Sequence, residues 1–478
     1  MEKVVDINKW HKEHIKSEQD LRDLFSELKA QYSKDPAPSY EQRLEKLNTL
    51  KLALLDSQSQ LVTALNTDYG HRSEFDSLIC DLLPAINHIN YTVKHLKKWV
   101  KPSKRHSGLL LFPSKVRVEY QPLGVIGVIA PWNFPIVLSI APIVTALAAG
   151  NRVMVKLSEH TPATNAVLSQ ICSVLENDIY IVEGEADIAR CFSSLPFDHL
   201  IFTGSTKVGK LVAKAAAENL TPVTLELGGK SPVIIADDAD IDRAVDAIML
   251  GKSVNAGQIC VAPDYVMVPQ GKELRFIERY LERFYELYIE DGQLKNSTNI
   301  VNDAQYQRLQ SYLQDAKERG GTLHSIDYVE VDERQMLPQL VTGITEQMLV
   351  MKEEIFGPIL PVIGYRHLNE VLTFINARPR PLALYLMSDD KLLQQQVIEH
   401  THSGGVAIND TLLHVAADDA PFGGIGESGI GHYHGEEGFR TFSKAKTVLS
   451  SYSWMPRSYL LLAYRRWVIN VIGRLFLR

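Results

Sequence analysis

Cysteine is scarce in this chain. The 478 residues hold four, Cys80, Cys172, Cys191 and Cys260, scattered with no CxxC pair. That spacing gives no metal-ligating cluster and no disulfide framework, so free thiols in a reducing, cytoplasmic compartment are expected. A basic excess is missing too. Lys and Arg number 50 against 57 Asp and Glu, a net charge of −7, and nothing in that balance suits a nucleic-acid partner. The opening MEKVVDINKWHKEHIKSEQD has no apolar h-region, so no secretory signal is expected. The chain also lacks internal repeats, low-complexity tracts and a GxGxxG fingerprint after its first strand–helix unit.

Two apolar stretches fall short of a membrane span. Residues 123–150 are interrupted by Pro131, Pro135 and Pro142 and read as a buried strand, a loop and a buried helix. Residues 458–478 carry four arginines and no acid. Arg466, Asn470, Arg474 and Arg478 recur every fourth position and would form one polar stripe, which predicts a basic amphipathic helix. Such a tail either packs on this or a neighbouring subunit or lies against an anionic membrane surface.

What is present is a soluble globular composition, 45% hydrophobic and 22% charged, in a chain long enough for two or three packed units. Residues 8–100 read as helical, with a stop at Gly70. KPSKRHSG (101–108) reads as a loop and KVRVEYQP (115–122) as an edge or hairpin strand. From Gly124 strands and helices alternate. The predicted fold class is α/β, with a Rossmann-like parallel-sheet cofactor domain, an α/β catalytic domain and a small β oligomerisation arm. In such sheets ligands bind beyond the carboxyl ends of the strands.

Several polar residues then ask for a reason. FTGSTKVGK (202–210) sits between a strand and a helix. Gly204 permits a sharp turn, and the helix start offers free N–H groups to phosphate, although an ordinary strand–helix turn looks the same. Lys156 and Glu159 follow a strand end. They read either as a ribose-holding pair or as a solvated capping pair. Cys260, in KSVNAGQICVAPDY, is either a small buried hydrophobe or a nucleophile. Glu226 in TLELGG is either a buried structural carboxylate or a base whose pKa burial would raise. Asn133 in APWNFP offers an amide donor suited to an oxyanion.

Taken in order, APWNFP, VKLSEHTP, FTGSTKVG, LELGGKSP, NAGQIC, KEEIFGP and PFGGIGESGIG resemble the motifs of the aldehyde dehydrogenases from about residue 20 to about 450. GQICVAPDYV, INDTLLH and GIGHYHGEEGFRTFS are most similar to the class 3 branch, which includes fatty and coniferyl-type aldehyde dehydrogenases. The first twenty or so residues, with Trp10 and His11, have no clear counterpart. The tail resembles in position the hydrophobic tail of the fatty aldehyde enzymes. The resemblance implies roles. Cys260 would be the nucleophile, Asn133 and the Cys260 N–H the oxyanion hole, and Glu226 the general base, with Glu354 the other candidate for that base. Trp132, Lys156, Glu159, Gly204, Ser205, Gly209, Glu354 and Phe356 would line the site of NAD, with NADP possible. It implies no metal.

The implied domains are 1–113 with 124–225 for the cofactor and 226–410 for catalysis. Residues 114–123 and 411–455 would bridge subunits of a homodimer, and 456–478 would form the tail. KVRVEYQP and a strand within RTFSKAKTVLSSYS would pair across subunits. The implied reaction is NAD(P)-dependent oxidation of an apolar aldehyde to its acid. The alternatives are a coenzyme A-acylating dehydrogenase and a silent membrane-associated scaffold.

Overall fold

Five short segments rich in β-branched and large apolar residues form the first sheet. They are Val125–Ile129, Arg152–Lys156, Ile179–Val182, His199–Thr203 and Val223–Glu226. All but the first residue of the last are buried, as expected of parallel strands covered on both faces. The computed structural model describes residues 17–476, so Trp10, His11 and Arg478 lie outside the described residues. The five strands run parallel, and Gly429–Ile430 returns from far along the chain to close the sheet antiparallel against Leu225 and Glu226.

Helix Val137–Ala149 packs in the core of this unit and ends on Gly150 at φ +93°. The left-handed conformation there favours glycine. The helix starts at Val137, whose N–H is held by Asp81 Oδ1 at 2.7 Å. Pro142 therefore falls inside it rather than interrupting it, at the loss of one backbone bond.

The second sheet has seven strands in the order Thr322–His324, Gln339–Thr342, Ile359–Tyr365, Tyr265–Pro269, Pro232–Ile235, Ala383–Met387 and Gly405–Ile408. All are parallel except the first pair. The chain leaves the first sheet after Glu226 and enters the second at Pro232. Residues 227–231 are thus the hinge of the architecture, and Glu226 stands at its first edge.

A third, three-stranded antiparallel sheet holds Ser103–Arg105, Lys115–Pro122 and Ser443–Ser450. Two local expectations change here and a third is narrowed. Residues 101–108 are not all loop, because Ser103–Arg105 adds a short edge strand. Of the two readings of Lys115–Pro122, edge or hairpin strand, the hairpin one holds, since it pairs antiparallel with Ser103–Arg105 just before it and lies in the middle of the sheet. The strands of KVRVEYQP and RTFSKAKTVLSSYS pair with each other within one chain, over eight residues from Ser443↔Pro122 to Ser450↔Lys115.

The tail also differs from a single helix. It forms Arg457–Ala463 and Arg465–Phe476, broken at Tyr464. The four-residue polar spacing begins only at Arg466, so the apolar stretch before it has no polar face to continue the stripe. The Arg457 guanidinium ties the tail to the arm, donating to the Phe112 carbonyl at 3.2 Å and to Ser114 Oγ at 2.7 Å.

Candidate active site

Cys260 lies between the helix Ile241–Ser253 and the strand Tyr265–Pro269. The residues just before it are wound the rare way. Asn255, Ala256 and Gly257 have φ of +49°, +52° and +71°. Left-handed conformation at two non-glycine residues in succession is strained and persists only where surroundings over-determine it. They do so here. The Asn255 N–H donates to Asp76 Oδ2 at 3.0 Å, and its side-chain amide to the carbonyls of Asn133 and Gln258. Gln258 reaches back to the Asn255 carbonyl and across to those of Asn299 and the N–H of Val301. A Cβ at Gly257 would stand 2.7 Å from the Gly357 carbonyl oxygen, so the small residue permits close packing.

Asn133 is buried, and its amide Nδ2 donates one hydrogen to the Gln258 carbonyl at 3.2 Å. That ties the amide to the cysteine loop and leaves the second N–H for another acceptor. The Asn133 main-chain carbonyl is gripped by Arg72 Nη1 at 2.9 Å and by the Tyr69 hydroxyl at 3.2 Å. Arg72 is itself fully buried, 3.7 Å from Asp81 and stacked over the Tyr69 ring. Tyr69 and Arg72 hold main chain from a distance and have no motif of their own, while Asn255 and Gln258 lie within NAGQIC, where the sequence shows the motif but not that their side chains hold its backbone.

Two carboxyl groups approach the thiol. Neither oxygen of Glu226 has a hydrogen-bond partner, and burial pushes its pKa well above the ordinary carboxylate range. Glu354 packs on Gly228, where any Cβ would collide with its carboxylate. Its Oε1 is unpartnered, and burial, then the nearby Asp264, raises its pKa to about 8. Burial, then Glu354, then Glu226, pushes the Cys260 thiol up to about 12, against the N–H groups of Cys260 and Val261 that favour the thiolate. The resting thiol is therefore neutral. Alkylation of Cys260 by iodoacetamide is expected to accelerate about tenfold per pH unit and to be still climbing at about pH 10. A plateau near pH 8 to 9 would contradict this.

One cleft of about 530 Å³ contains Trp132, Asn133, Gly204, Ser205, Glu226, Cys260, Glu354 and Phe356 together. Ser205 caps the helix Thr206–Ala217, accepting from the Val208 N–H, and the helix start opens into the cleft through Thr206 and Lys207. Phe356, at φ +50°, meets the Trp132 ring edge-on at 5.3 Å. Three predicted residues lie elsewhere. Lys156 and Glu159 pair with each other at 2.7 Å at the carboxyl end of Arg152–Lys156. Burial works against ionisation of Glu159, but the Lys156 bond and charge outweigh it and lower its pKa. Gly209 is buried in its helix, where a Cβ would press 2.6 Å from Leu227 Cδ2. It sets helix–strand distance rather than lining the cleft.

The cleft also holds Gln305, Arg308 and Tyr312, which lie in none of the motifs, and Lys207 and Glu427, which lie within FTGSTKVGK and PFGGIGESGIG. Lys252 sits behind it, fully buried, its ammonium nitrogen unpartnered and its pKa lowered to about 8 by burial. The geometry suits an extended anionic cofactor. A helix start for phosphate after His199–Thr203, the Lys156–Glu159 pair for a diol at the end of Arg152–Lys156 two strands along the same sheet, and the edge-on Trp132 and Phe356 rings in the cleft with Cys260 are the contacts such a cofactor needs. Among the described residues no group of His, Cys, Asp and Glu is arranged to hold a metal ion.

The family model described as "Aldehyde dehydrogenase family" matches residues 9–448. A probable coniferyl aldehyde dehydrogenase of Pseudomonas aeruginosa is 48% identical over 460 residues, covering 96% of each chain. Among solved structures, the substrate-bound state of Staphylococcus aureus AldH is 36% identical with a TM-score of 0.86, over 93% of this chain and 99% of that one. A betaine aldehyde dehydrogenase of Staphylococcus aureus in complex with NAD+ is 26% identical with a TM-score of 0.81, over 91% and 90%.

Proposed function

The chain belongs to the aldehyde dehydrogenase family, and on that premise we propose that it oxidises an apolar, aromatic or long-chain aldehyde to the acid with NAD. The observation that carries this reading is Glu226, buried and with both oxygens unpartnered, in one cleft with Cys260 and Asn133. An acyl-transfer site needs that set of thiol, donor and base. The Cys260 thiol gives up its proton to a neighbouring carboxylate and its sulfur bonds the aldehyde carbon. The alkoxide so formed accepts from the free N–H of Asn133 Nδ2 and from the Cys260 N–H. Trp132, Gly204, Ser205, Glu354 and Phe356 would hold NAD, which would supply the hydride acceptor that turns this adduct into a thioester on Cys260. Glu226 then takes a proton from water, the hydroxide displaces sulfur, and the acid departs.

Apolar preference is supported by the relatives and by the core around Cys260. The Pseudomonas relative is named for an aromatic aldehyde, and Val137, Leu138, Tyr288, Val415 and Phe422 pack, like Cys260, against the apolar core of the second sheet. NAD over NADP is supported by the Glu159 carboxylate, which would repel a 2′-phosphate, although Lys156 offsets part of that charge. A panel of aldehydes from two to sixteen or so carbons plus cinnamyl types, run with NAD and with NADP, tests the reading. Rates that fall with chain length or with an aromatic group would sink it. The presence of Glu226 speaks against passing the acyl group to coenzyme A. A requirement for coenzyme A, or an absence of acid product, would reverse that.

Among the described residues the outer edge of Ser443–Ser450 has no strand beside it, which supports a homodimer by edge pairing, in a cytoplasmic setting consistent with four free cysteines. Peripheral contact with an anionic membrane is a second partner supported by charge. Residues 101–118 and 443–478 hold twelve of the 50 Lys and Arg and none of the 57 Asp and Glu. Trp454, Tyr459, Tyr464 and Trp467 are exposed beside them. No helix among the described residues is long and apolar enough to cross a membrane. Co-sedimentation with vesicles containing phosphatidylglycerol is expected, falling roughly 30-fold for Arg465→Gln/Arg466→Gln at about 1 kcal/mol per charge. Equal sedimentation with neutral vesicles would overturn the electrostatic reading.

A further inference from the structure

We propose that Arg308, on the helix Asp303–Glu318, is a positioning residue that fixes residues 354–356 in their cofactor-receiving shape. This rests on the cleft being the cofactor site. One guanidinium gathers three successive main-chain carbonyls. Nη1 donates to Glu354 O at 3.3 Å, and Nη2 to Ile355 O at 2.8 Å and Phe356 O at 3.5 Å. The fork is itself oriented. Nε donates to Gln305 Oε1 at 2.7 Å, and the guanidinium lies 5.1 Å over the Tyr312 ring. Three carbonyls turned to one point require a tight bend, and Phe356 supplies it at φ +50°. A bulky residue in that conformation is strained on its own, so an external clamp is what holds it.

The same helix restrains the next residue, since a Cβ at Gly357 would meet Leu309 Cδ1 at 2.6 Å. On the other side the loop is fastened by the Ile355 N–H to Asp264 Oδ1 at 2.9 Å and by Lys230 Nζ to the Glu353 carbonyl at 3.0 Å. Those two bonds fix the start of the loop. Only Arg308 binds the Phe356 carbonyl among the described bonds, so it controls where that ring and the Glu354 carboxyl stand in the cleft. Lysine cannot replace it, because a single ammonium lacks the planar fork that spans several carbonyls.

The test uses Arg308→Met and Arg308→Lys in the full chain. In the cofactor-free protein, amide hydrogen exchange over residues 353–358 is expected to accelerate in Arg308→Met while that of the strand Tyr265–Pro269 stays as in the parent. By calorimetry the NAD Kd is expected to rise about 10- to 100-fold, the loss of bonds to a charged donor. At saturating NAD, kcat should fall less than kcat/KM does, because the clamp acts first on the loop that receives the cofactor. Arg308→Lys should recover only part of both. Unchanged exchange in Arg308→Met, a Kd within about twofold of the parent, or full recovery by lysine would overturn the proposal. A parent protein that binds no NAD would instead sink the cofactor reading, and the exchange comparison would still decide on Arg308.

Discussion

Replacing Cys260 by alanine is expected to lower aldehyde oxidation by on the order of 10⁴-fold or more, while leaving the fold and NAD binding in place. Every later step depends on the bond between Sγ and the substrate carbon, so no neighbouring group can stand in for it. Cys80 lies on another element, the turn Leu78–Leu82, and burial pushes its thiol up to about 12. The backbone around position 260 should survive, because the left-handed run before it is held by Asp76, Asn133, Gln258 and Asn299 rather than by the sulfur. The measurement is steady-state NADH formation, with intact-protein mass to look for the acyl adduct. Activity within about tenfold of the parent would remove Cys260 from the mechanism.

Glu226→Gln is expected to separate the two halves of the reaction. Glutamine matches the carboxyl in shape but accepts no proton from water, so the thioester should form and then persist. A burst of about one NADH per subunit would precede a steady state slowed by roughly 10²- to 10⁴-fold. The sign of the pH dependence follows from burial. Burial raises the Glu226 pKa and so keeps the proton on at low pH, and the base form grows as pH rises. Steady-state turnover of the parent should therefore keep climbing as pH rises above the ordinary carboxylate range, and that climb should flatten in the glutamine variant. Glu354→Gln serves as the contrast. If it, and not Glu226→Gln, accumulates the thioester, then Glu354, with its pKa near 8, is the base.

Much of the fold was legible because parallel strands buried on both faces leave continuous apolar runs, as in VIGVI and RVMVK, and because helices announce their ends, as at Gly150. What was illegible depended on partners distant in sequence. SKR at 103–105 has no strand pattern and becomes a strand only because Lys115–Pro122 offers it an edge. Gly429–Ile430 is two residues long and exists by pairing with Leu225 and Glu226. In the site, Cys260, Glu226 and Asn133 stood in short local patterns, whereas the residues that hold main chain from a distance did not. Arg72 acts on Asn133 across 61 positions and Arg308 on Ile355 across 47. A guanidinium that binds carbonyls can come from any element that passes nearby, so no spacing betrays it.

The closure of the first sheet by Gly429–Ile430 bears on how the protein is made. Synthesis runs from the amino end, and domains tend to fold as they emerge. Here the five parallel strands are complete by residue 226, yet the edge beside Glu226 stays open until about two hundred further residues have left the ribosome. For that interval the unfinished protein displays unpaired backbone beside Glu226, the kind of edge that recruits wrong partners. A nascent chain halted near residue 420 should need a chaperone's shelter, and one halted past the whole of Ser443–Ser450 should not.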